Sequence, residues 1–563
     1  MTEAALNSET RVKLGRFDAD KLLVATCVGV PLIGLMLFFL YPMTIVFLRS
    51  ISTPDGTLGL DNYAEILGSS GFWRATRHSM EMGISTTVVS VFLGFIIAHA
   101  LHRCAFRGKF LIRAAIVLPL LAPSLVQALG LIFLLGRNGL ISRSLGVELD
   151  IYGFWGLLIA NTLYALPQAV MIIGASLALL DARPYEAAEM MGARPSRQFR
   201  DLTLPASFFA ILNAAFVVFI ITITDFGNAA VIGGDYSVLA TEIYKQVIGL
   251  RNFNMGAVVG IMLLLPTVVS YYIERKAMAL QERQQNTNIV PFRPVFAPRR
   301  DVPMATASFA ISAMVVAVIA IVVYASFVKL WPNNYDLTLK HYNIKLAGGY
   351  SSLWITIVIS LGAAIGGTFL IFILALGLRR MRGTIARGIQ VLAAMPAAVP
   401  GIVLGLSYIL TFNSTSTPLY LLYGTAVLIG VANFYHYHTQ TFLTVMTGFR
   451  QFPSALEEAS VTLGAGLGRT AVNVIAPFVT PMLVSVFFFL FMRSMVTLSA
   501  VVFLTTPKMD VAAVTIMRLD DAGLTSQAAA FSTCVMLVVC VALVGMKLIL
   551  WWLSAGSNRA GGV

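Results

Sequence analysis

Long apolar runs alternate with short polar stretches along almost the whole chain. A bilayer-crossing helix needs about 20 mostly apolar residues. Twelve stretches qualify, roughly 22–48, 79–101, 112–136, 153–180, 206–233, 255–274, 304–329, 351–378, 388–412, 419–447, 478–504 and 528–553. Several contain Pro and Gly, which membrane helices tolerate where neighbours satisfy the freed backbone groups. The polar stretches alternate in basic content. Arg11, Lys13, Arg16 and Lys21 precede the first run; Arg103, Arg107, Lys109 and Arg113 follow the second; Arg183, Arg194, Arg197 and Arg200 follow the fourth. The same side then receives Arg275, Lys276, Arg283, Arg293, Arg299 and Arg300, then Arg379, Arg380, Arg382 and Arg387, then Arg450 and Arg469. With Lys547 and Arg559 this is about 26 of the 39 basic residues. Lys and Arg concentrate in cytoplasmic loops, so both termini are expected in the cytoplasm.

Composition agrees with an all-α, polytopic membrane chain. Hydrophobic residues make up 58% and charged residues 12%, against about 25% charged in soluble domains. The net charge of +13 sits in the loop clusters, which is membrane topology and not a nucleic-acid surface. Cys27, Cys104, Cys534 and Cys540 show neither disulfide-framework nor zinc-type spacing. The first 20 residues are polar and basic without a small-residue cleavage site, so no removable signal peptide is expected.

The chain repeats itself. At a constant offset of 272 residues, EAAEMMGARPSRQFRDLTLP from Glu186 falls on EASVTLGAGLGRTAVNVIAP from Glu458. Glu186 meets Glu458, Ala187 meets Ala459, Gly192 meets Gly464, Arg197 meets Arg469 and Pro205 meets Pro477. Upstream, Asn161 meets Asn433, and Pro119 and Pro123 share the spacing of Pro396 and Pro400. The expected organisation is two halves, 1–290 and 291–563, of six spans each, with a polar linker over 281–303. Six is even, so the halves enter the membrane in the same sense, as parallel repeats.

The repeated segments fall on the basic side and are rich in small residues. Glu186 and Glu458 sit near a helix start, where the helix dipole favours an acid. Ala187, Ala188, Ala459 and Ser460 allow close approach of a partner, and Gly192 and Gly464 permit a sharp bend. Pro205 and Pro477 are expected in the first turn of the next span, where Pro is tolerated. Two such glycine-hinged elbows resemble the signature loop of the binding-protein-dependent ABC permeases, with Ser460 replacing the second Ala in the second copy. The resemblance implies the type I importer permease fold, coupling elbows at Glu186, Ala187, Ala188, Gly192 and Arg197 and at Glu458, Ala459, Ser460, Gly464 and Arg469, two copies of a separate ATPase subunit, a periplasmic solute-binding protein, and an inner-membrane location. The fused arrangement is similar to the iron(III), thiamine and 2-aminoethylphosphonate branches. The stretch Thr224–Gly260 most resembles the 2-aminoethylphosphonate permeases.

No G-x-x-x-x-G-K-[ST] loop is present, so ATP hydrolysis is expected on the partner; nor is there H-E-x-x-H or G-x-S-x-G. No cofactor or metal is expected, and the partners are ATPase, binding protein, a small polar solute and lipid. An ion-coupled secondary transporter is the rival class, but it gives no reason to repeat an elbow. Charged groups within spans are costly and mark pathways. Asp225 suits an ammonium group and Arg493 an oxyanion, a combination that fits a zwitterion such as 2-aminoethylphosphonate; a structural pair inside the bundle is the alternative. Asn161 and Asn433 either line a cavity or bond helix to helix. His436 and His438 do not share a helix face, so a metal site is disfavoured. Leu239, Ile243, Val247 and Leu250 fit an amphipathic helix at the pore mouth, or ordinary loop packing.

Overall fold

The computed structural model describes residues 20–560, apart from 54–56, 148, 285–288, 345–348, 416 and 508, with side chains for all of these except 281–284 and 556–560. The basic tail at Arg11, Lys13 and Arg16 and most of the stretch read for a signal peptide lie outside the described residues, as do 285–288 of the expected linker.

The principal helices form two sets of nine. The first is α1 (Asp20–Ser50), α2 (Ser70–Arg103), α3 (Lys109–Val117), α4 (Leu125–Leu135), α5 (Phe154–Ala178), α6 (Arg183–Met190), α7 (Leu204–Thr224), α8 (Leu239–Tyr244) and α9 (Phe253–Gln284). The second is α10 (Pro298–Phe327), α11 (Tyr350–Arg380), α12 (Thr384–Ala394), α13 (Gly401–Phe412), α14 (Ala426–Arg450), α15 (Ser454–Thr462), α16 (Ala476–Val496), α17 (Ala512–Asp521) and α18 (Thr525–Ala560). The bounds of α5 and α14, and of α7 and α16, match at the 272-residue offset at both ends, as do the starts of α9 and α18. Individual bonds repeat too. The Ser79 hydroxyl accepts from Leu239 N at the start of α8, and Thr356 accepts from Ala512 N at the start of α17, each at 2.8 Å. Arg251, with φ 53°, is a positive-φ residue where the second copy has Gly523, with φ 75°.

Ten helices among the described residues are long and apolar enough to cross a membrane, or up to eleven if one bent pair is a single span. The difference from twelve has a local cause. The stretch 112–136 divides at the Leu118–Leu121 turn into α3 and α4 and still contributes one span, Leu125–Leu145. The stretch 388–412 divides into Thr384–Ala398 and Gly401–Phe412, bent by 103°. Pro119, Pro123, Pro396 and Pro400 sit at these breaks, because Pro lacks an N–H and restricts the residue before it. The helix α14 has 25 residues, but Asn433, His436, His438 and Gln440 make it too polar to count as an apolar span; it packs between α11 and α16. The spans α7 and α16 also stop short of their expected ends, at Thr224 and Val496. Both chains turn out of the helix at the next residue, Asp225 (φ −70°, ψ 125°) and Thr497 (φ −71°, ψ 126°). The linker is shorter than read, since α9 runs to Gln284 and α10 begins at Pro298. Pro205 and Pro477 lie in the first turn of α7 and α16, as expected. The helical path extends further back, to Pro195 and Leu467, through a π-helical turn (Phe199–Thr203, Ala471–Ile475) that precedes each Pro and absorbs its missing bond. The all-α architecture carries one small addition, an antiparallel ribbon of β1 (Val328–Leu330) and β2 (Asn334–Leu337).

The halves exchange their first helices. Tyr408 of α13 donates to the Phe38 carbonyl of α1 at 2.7 Å, and Phe38 stacks with Phe412 and Tyr435. Reciprocally, α10 lies on the first half: Val318 touches Gly130 of α4 closely enough to exclude any side chain there, and Asp301 accepts from Ala105 N at 3.0 Å. On the outside of the bundle, Ile84, Val88 and Phe92 of α2 repeat every four residues and are exposed, a stripe for lipid tails. Exposed Trp73, Trp155 and Trp354 mark one end of the bundle and Trp551 and Trp552 the other, as interfacial aromatic belts do.

The broken segments interlock. A Cβ on Gly227 would collide with the Ser124 hydroxyl, and a Cβ on Gly401 would collide with the Ser499 hydroxyl. Ser124 corresponds to Gly401, and Gly227 to Ser499. Each half thus uses one Ser and one Gly at the same contact, with the sides reversed. Gly227→Ala alone is expected to lower thermal stability in detergent by about 1–3 kcal/mol through overpacking. Ser124→Gly combined with Gly227→Ser transplants the second half's arrangement into the first, and should return the melting midpoint towards wild type.

Candidate functional site

Between the halves lies a cavity of about 300 Å³. It is lined where the broken segments meet: by the Pro396–Gly401 break, by Ser124, and by the residues just past α7 and α16. The remaining walls come from α5, α7, α9, α14 and α16.

The lining is pseudo-symmetric in position and asymmetric in chemistry. Gln168 of α5 and Gln440 of α14 correspond at the 272-residue offset, and both line the cavity. Tyr164 corresponds to His436, Ile221 to Arg493, and Asp225 to Thr497. A cation therefore stands on the second half's wall where the first half has Ile221. A carboxylate stands one helical turn further on in the first half, where the second has a neutral hydroxyl. Glu274 of α9 adds a second carboxylate; its counterpart is Met546, so a comparison of the two copies would have singled it out.

Arg493 and Asp225 are both half-buried, with the cavity as their exposed side. The Arg493 guanidinium lies 5.0 Å from the Tyr437 ring centroid and also meets the Tyr164 phenol, which is favourable cation–π and hydrogen-bond contact. Asp225 accepts from Asn228 N at 2.9 Å, and the Ser124 hydroxyl and Gly227 N–H also point to it. These bonds place Asp225 at the head of the short helix Gly227–Ile232. No ion pair among the described residues includes Arg493 or Asp225. The sequence brought these two together only by residue type; the structure puts both on one cavity.

The other expected positions go elsewhere. Asn161 accepts from the Asn228 side chain at 2.9 Å, and Asn433 donates to Ser494 at 2.7 Å; both are buried and off the cavity wall. His436 reaches the cavity, while His438 turns to the Ala393 carbonyl at 3.0 Å. Among the described residues no group of three or more His, Cys, Asp and Glu is placed to hold a metal. Leu239, Ile243 and Val247 are buried in the bundle, and only Leu250 of that stripe is exposed.

Both elbows have the expected shape. In the first, Gly192 (φ 72°) follows α6; its N–H bonds the Glu189 carbonyl at 2.9 Å, and Ala193 N bonds Ala188 O at 2.9 Å. In the second, Gly464 (φ 78°) follows α15, with Gly464 N to Val461 O at 2.9 Å and Ala465 N to Ser460 O at 3.0 Å. This paired closure satisfies the last helix carbonyls and requires the left-handed conformation that Gly adopts freely. Ala188 and Ser460 face inward, with Tyr185 bonded to Thr203 and Ser460 to Thr470. Glu186, Ala187, Glu458 and Ala459 face out, as do Arg197, which pairs with Asp201 at 3.3 Å, and Arg469. At the base of the first elbow, hydrogen bonds from Arg183 hold the Asp181 carboxyl below its usual range. The tips carry large apolar side chains: Met190 is 90% exposed, Met191 80% and Leu463, the counterpart of Met191, 88%.

Two tandem copies of one helical order, closed around a polar cavity inside an apolar bundle, define a transport permease. The family model of the binding-protein-dependent transport system inner membrane component matches residues 90–276, from within α2 to within α9. The matched segment belongs to this family, and the helices α11–α18 repeat its order. The chain is a transport component and not an enzyme. Over 564 residues it is 27% identical to the ferric transport system permease protein FbpB of Actinobacillus pleuropneumoniae, covering 96% of this chain and 80% of that one. It is 30% identical over 222 residues to the thiamine transport system permease protein ThiP of Brucella abortus (strain 2308), covering 38% of this chain and 40% of that one. To the spermidine/putrescine transport system permease protein PotC of Escherichia coli (strain K12) it is 27% identical over 229 residues, 40% of this chain and 82% of that one.

Asn161→Ala and Asn433→Ala are expected to cost about 1–2 kcal/mol each by stranding a buried partner. The measurement is a melting midpoint in detergent alongside transport per folded molecule. A loss of transport without a loss of stability would place these amides on the pathway instead.

Proposed function

We propose that the chain forms the translocation path of an ATP-driven importer, and that its solute is a small zwitterion bearing an oxyanion, for which 2-aminoethylphosphonate is the best-fitting example. The observation that carries this is the polar axis of the cavity. Arg493, without a carboxylate partner, sits on one wall, and Asp225 sits on the other. A lone cation inside a bundle is costly. A guanidinium compensated only by two phenols favours an incoming anion, whose paired oxygens match its fork. An ammonium group on the same solute then falls to Asp225, with Glu274 as a second acceptor.

The elbow face is the cytoplasmic one in this reading, because most of the basic loops lie there. The Met191 and Leu463 tips enter clefts of the ATPase subunits, and a loaded solute-binding protein docks on the opposite face. Closure of the ATPases moves the elbows, and the cavity changes the side to which it opens. Solute biases that change only through unequal affinity for the two states.

A second reading has its own support: the ferric permease matches this chain over nearly its whole length. Thiamine, the solute in the name of another relative, is a third candidate. Against a bare ferric ion stands the cation on the cavity wall, together with the lack of a ligand cluster among the described residues.

Uptake of labelled 2-aminoethylphosphonate, iron(III) and thiamine by a deletion strain carrying this gene separates the readings. Arg493→Gln is expected to raise the phosphonate KM about tenfold or more, the loss of one charge-assisted contact. Asp225→Asn should act on the aminated solute more than on a phosphonate lacking the amine. Wild-type uptake rates in both variants, at normal protein levels, would sink the zwitterion reading. Saturable iron uptake with no phosphonate uptake would establish the second one.

A further inference from the structure

Each elbow is fastened by arginine to the end of an earlier long helix, α2 or α11, at equivalent places but with different chemistry. Arg103, the last residue of α2, is buried. Its guanidinium lies 3.8 Å from the ring centroid of Tyr185, on elbow helix α6, and 3.6 Å from that of Phe292, in the segment joining the two halves. At an offset of 277 residues, Pro119 falls on Pro396 and Arg103 falls on Arg380, at the end of α11. At 272, Tyr185 falls on Glu457, on elbow helix α15. There the fastening is ionic: Arg379 pairs with Glu457 at 3.0 Å, Arg380 pairs with its other oxygen, and Arg379 also bonds the Phe449 carbonyl. One copy holds the elbow by an aromatic sandwich, the other by a carboxylate between two guanidinium groups.

The joining segment completes the first fastening. Val290 accepts from Ala182 N at 3.0 Å, and Pro291 bridges to Asp181 beside the elbow. Asp301 then bonds Ala105 N, two residues past Arg103. The second elbow is braced instead by the start of the chain's first helix, where Asp20 accepts from Leu467 N at 3.0 Å. The long helices lead on to the cavity. A Cβ on Gly94 of α2 would strike Ala169 of α5, and one on Gly367 of α11 would strike Phe434 of α14 and Leu490 of α16. Contacts that close transmit displacement without slack.

We propose that Arg103 with Tyr185 and Phe292, and Arg379 and Arg380 with Glu457, are the joints through which elbow displacement reaches α2 and α11 and from them the cavity walls. These are positioning residues: they touch neither solute nor nucleotide. The inference rests on the reading of the elbows as ATPase contacts. It adds that grip on the ATPase and transmission from it reside in different side chains, the exposed tips for the first and these arginines for the second.

The test uses the full chain purified with its co-expressed ATPase in lipid nanodiscs. Cys534 and Cys540 are replaced by Ser, the buried Cys27 and Cys104 are left, and spin labels are placed on the face opposite the elbows at Asp150→Cys and Leu421→Cys. In the parent chain, ATP with vanadate shifts the inter-label distance. In Glu457→Gln and in Arg103→Gln the ATPase is retained, ATP is hydrolysed, and the shifted population falls about tenfold, a coupling change of ordinary size. Glu457→Asp keeps most of the shift, which a merely structural defect would not predict. Should Glu457→Gln accumulate poorly, Arg379→Gln, which leaves Arg380 on Glu457, is expected to give an intermediate loss. An undiminished shift in both Gln variants overturns the joints while leaving the elbow reading intact. A parent chain that retains no ATPase overturns the elbow reading, and the joints fall with it.

Discussion

Inside a bilayer no water is available to satisfy a backbone that leaves the helix, and the cavity depends on how this chain meets that constraint. Four irregular segments lie at depth: the turns at Pro119–Pro123 and Pro396–Pro400, and the exits at Asp225 and Thr497. They are arranged in pairs, each turn against the exit of its own half, with a Ser and a Gly at the closest point. The irregular backbone is thereby buried in protein or set against the cavity, where exposed N–H and hydroxyl groups become useful. Asp225 shows the economy of this. It satisfies the short helix that follows it, and it presents its charge to the cavity as well.

The pseudo-symmetry of the halves supplies position, and departures from it supply chemistry. Equivalent helices place equivalent side chains around the cavity, so Gln168 and Gln440 both line it as a matched pair. Ile221 against Arg493 and Asp225 against Thr497 break the match and give the cavity a direction. The exchanged first helices make the two halves a single unit: α1 is bonded into the second half and α10 into the first. Division at residue 290 therefore describes the repeat, but neither half keeps its packing without the other's first helix.

Much of this was legible in the amino-acid order. The alternation of apolar runs and basic loops marked the spans, and the offset between Glu186 and Glu458 marked both elbows and their glycines. Arg493 and Asp225 stood out as charges in apolar surroundings. What escaped was whatever depends on distant contact. The Pro pairs were visible, but a Pro in a membrane helix is often only a kink, and the sharp break depends on the exit segment that packs against it. The helix α14 read as one more span because of its length, and its polar side chains turn to protein or, at His436 and Gln440, to the cavity. Glu274 was hidden by its place among Tyr271, Tyr272, Arg275 and Lys276, where a carboxylate reads as the end of a span. Arg103 and Arg380 were counted as loop charges that orient the chain. Nothing local distinguishes an arginine facing solvent from one laid between two rings.

The two fastenings differ in how they respond to surroundings. A guanidinium held between aromatic faces loses little when salt rises, because its partners carry no net charge. The cluster of Arg379, Arg380 and Glu457, whose side chains are 21%, 36% and 13% exposed, carries net charge and is screened in part as ionic strength increases. Two elbows of the same shape thus need not be equally stiff. The first is further stiffened by the covalent link between the halves, which a permease made of two separate chains lacks. A fused chain can in this way give its two elbows unequal stiffness while keeping one symmetric frame. The charge asymmetry of the cavity, with Arg493 and Asp225 one turn apart in the register of the two copies, gives such inequality a direction in which to act.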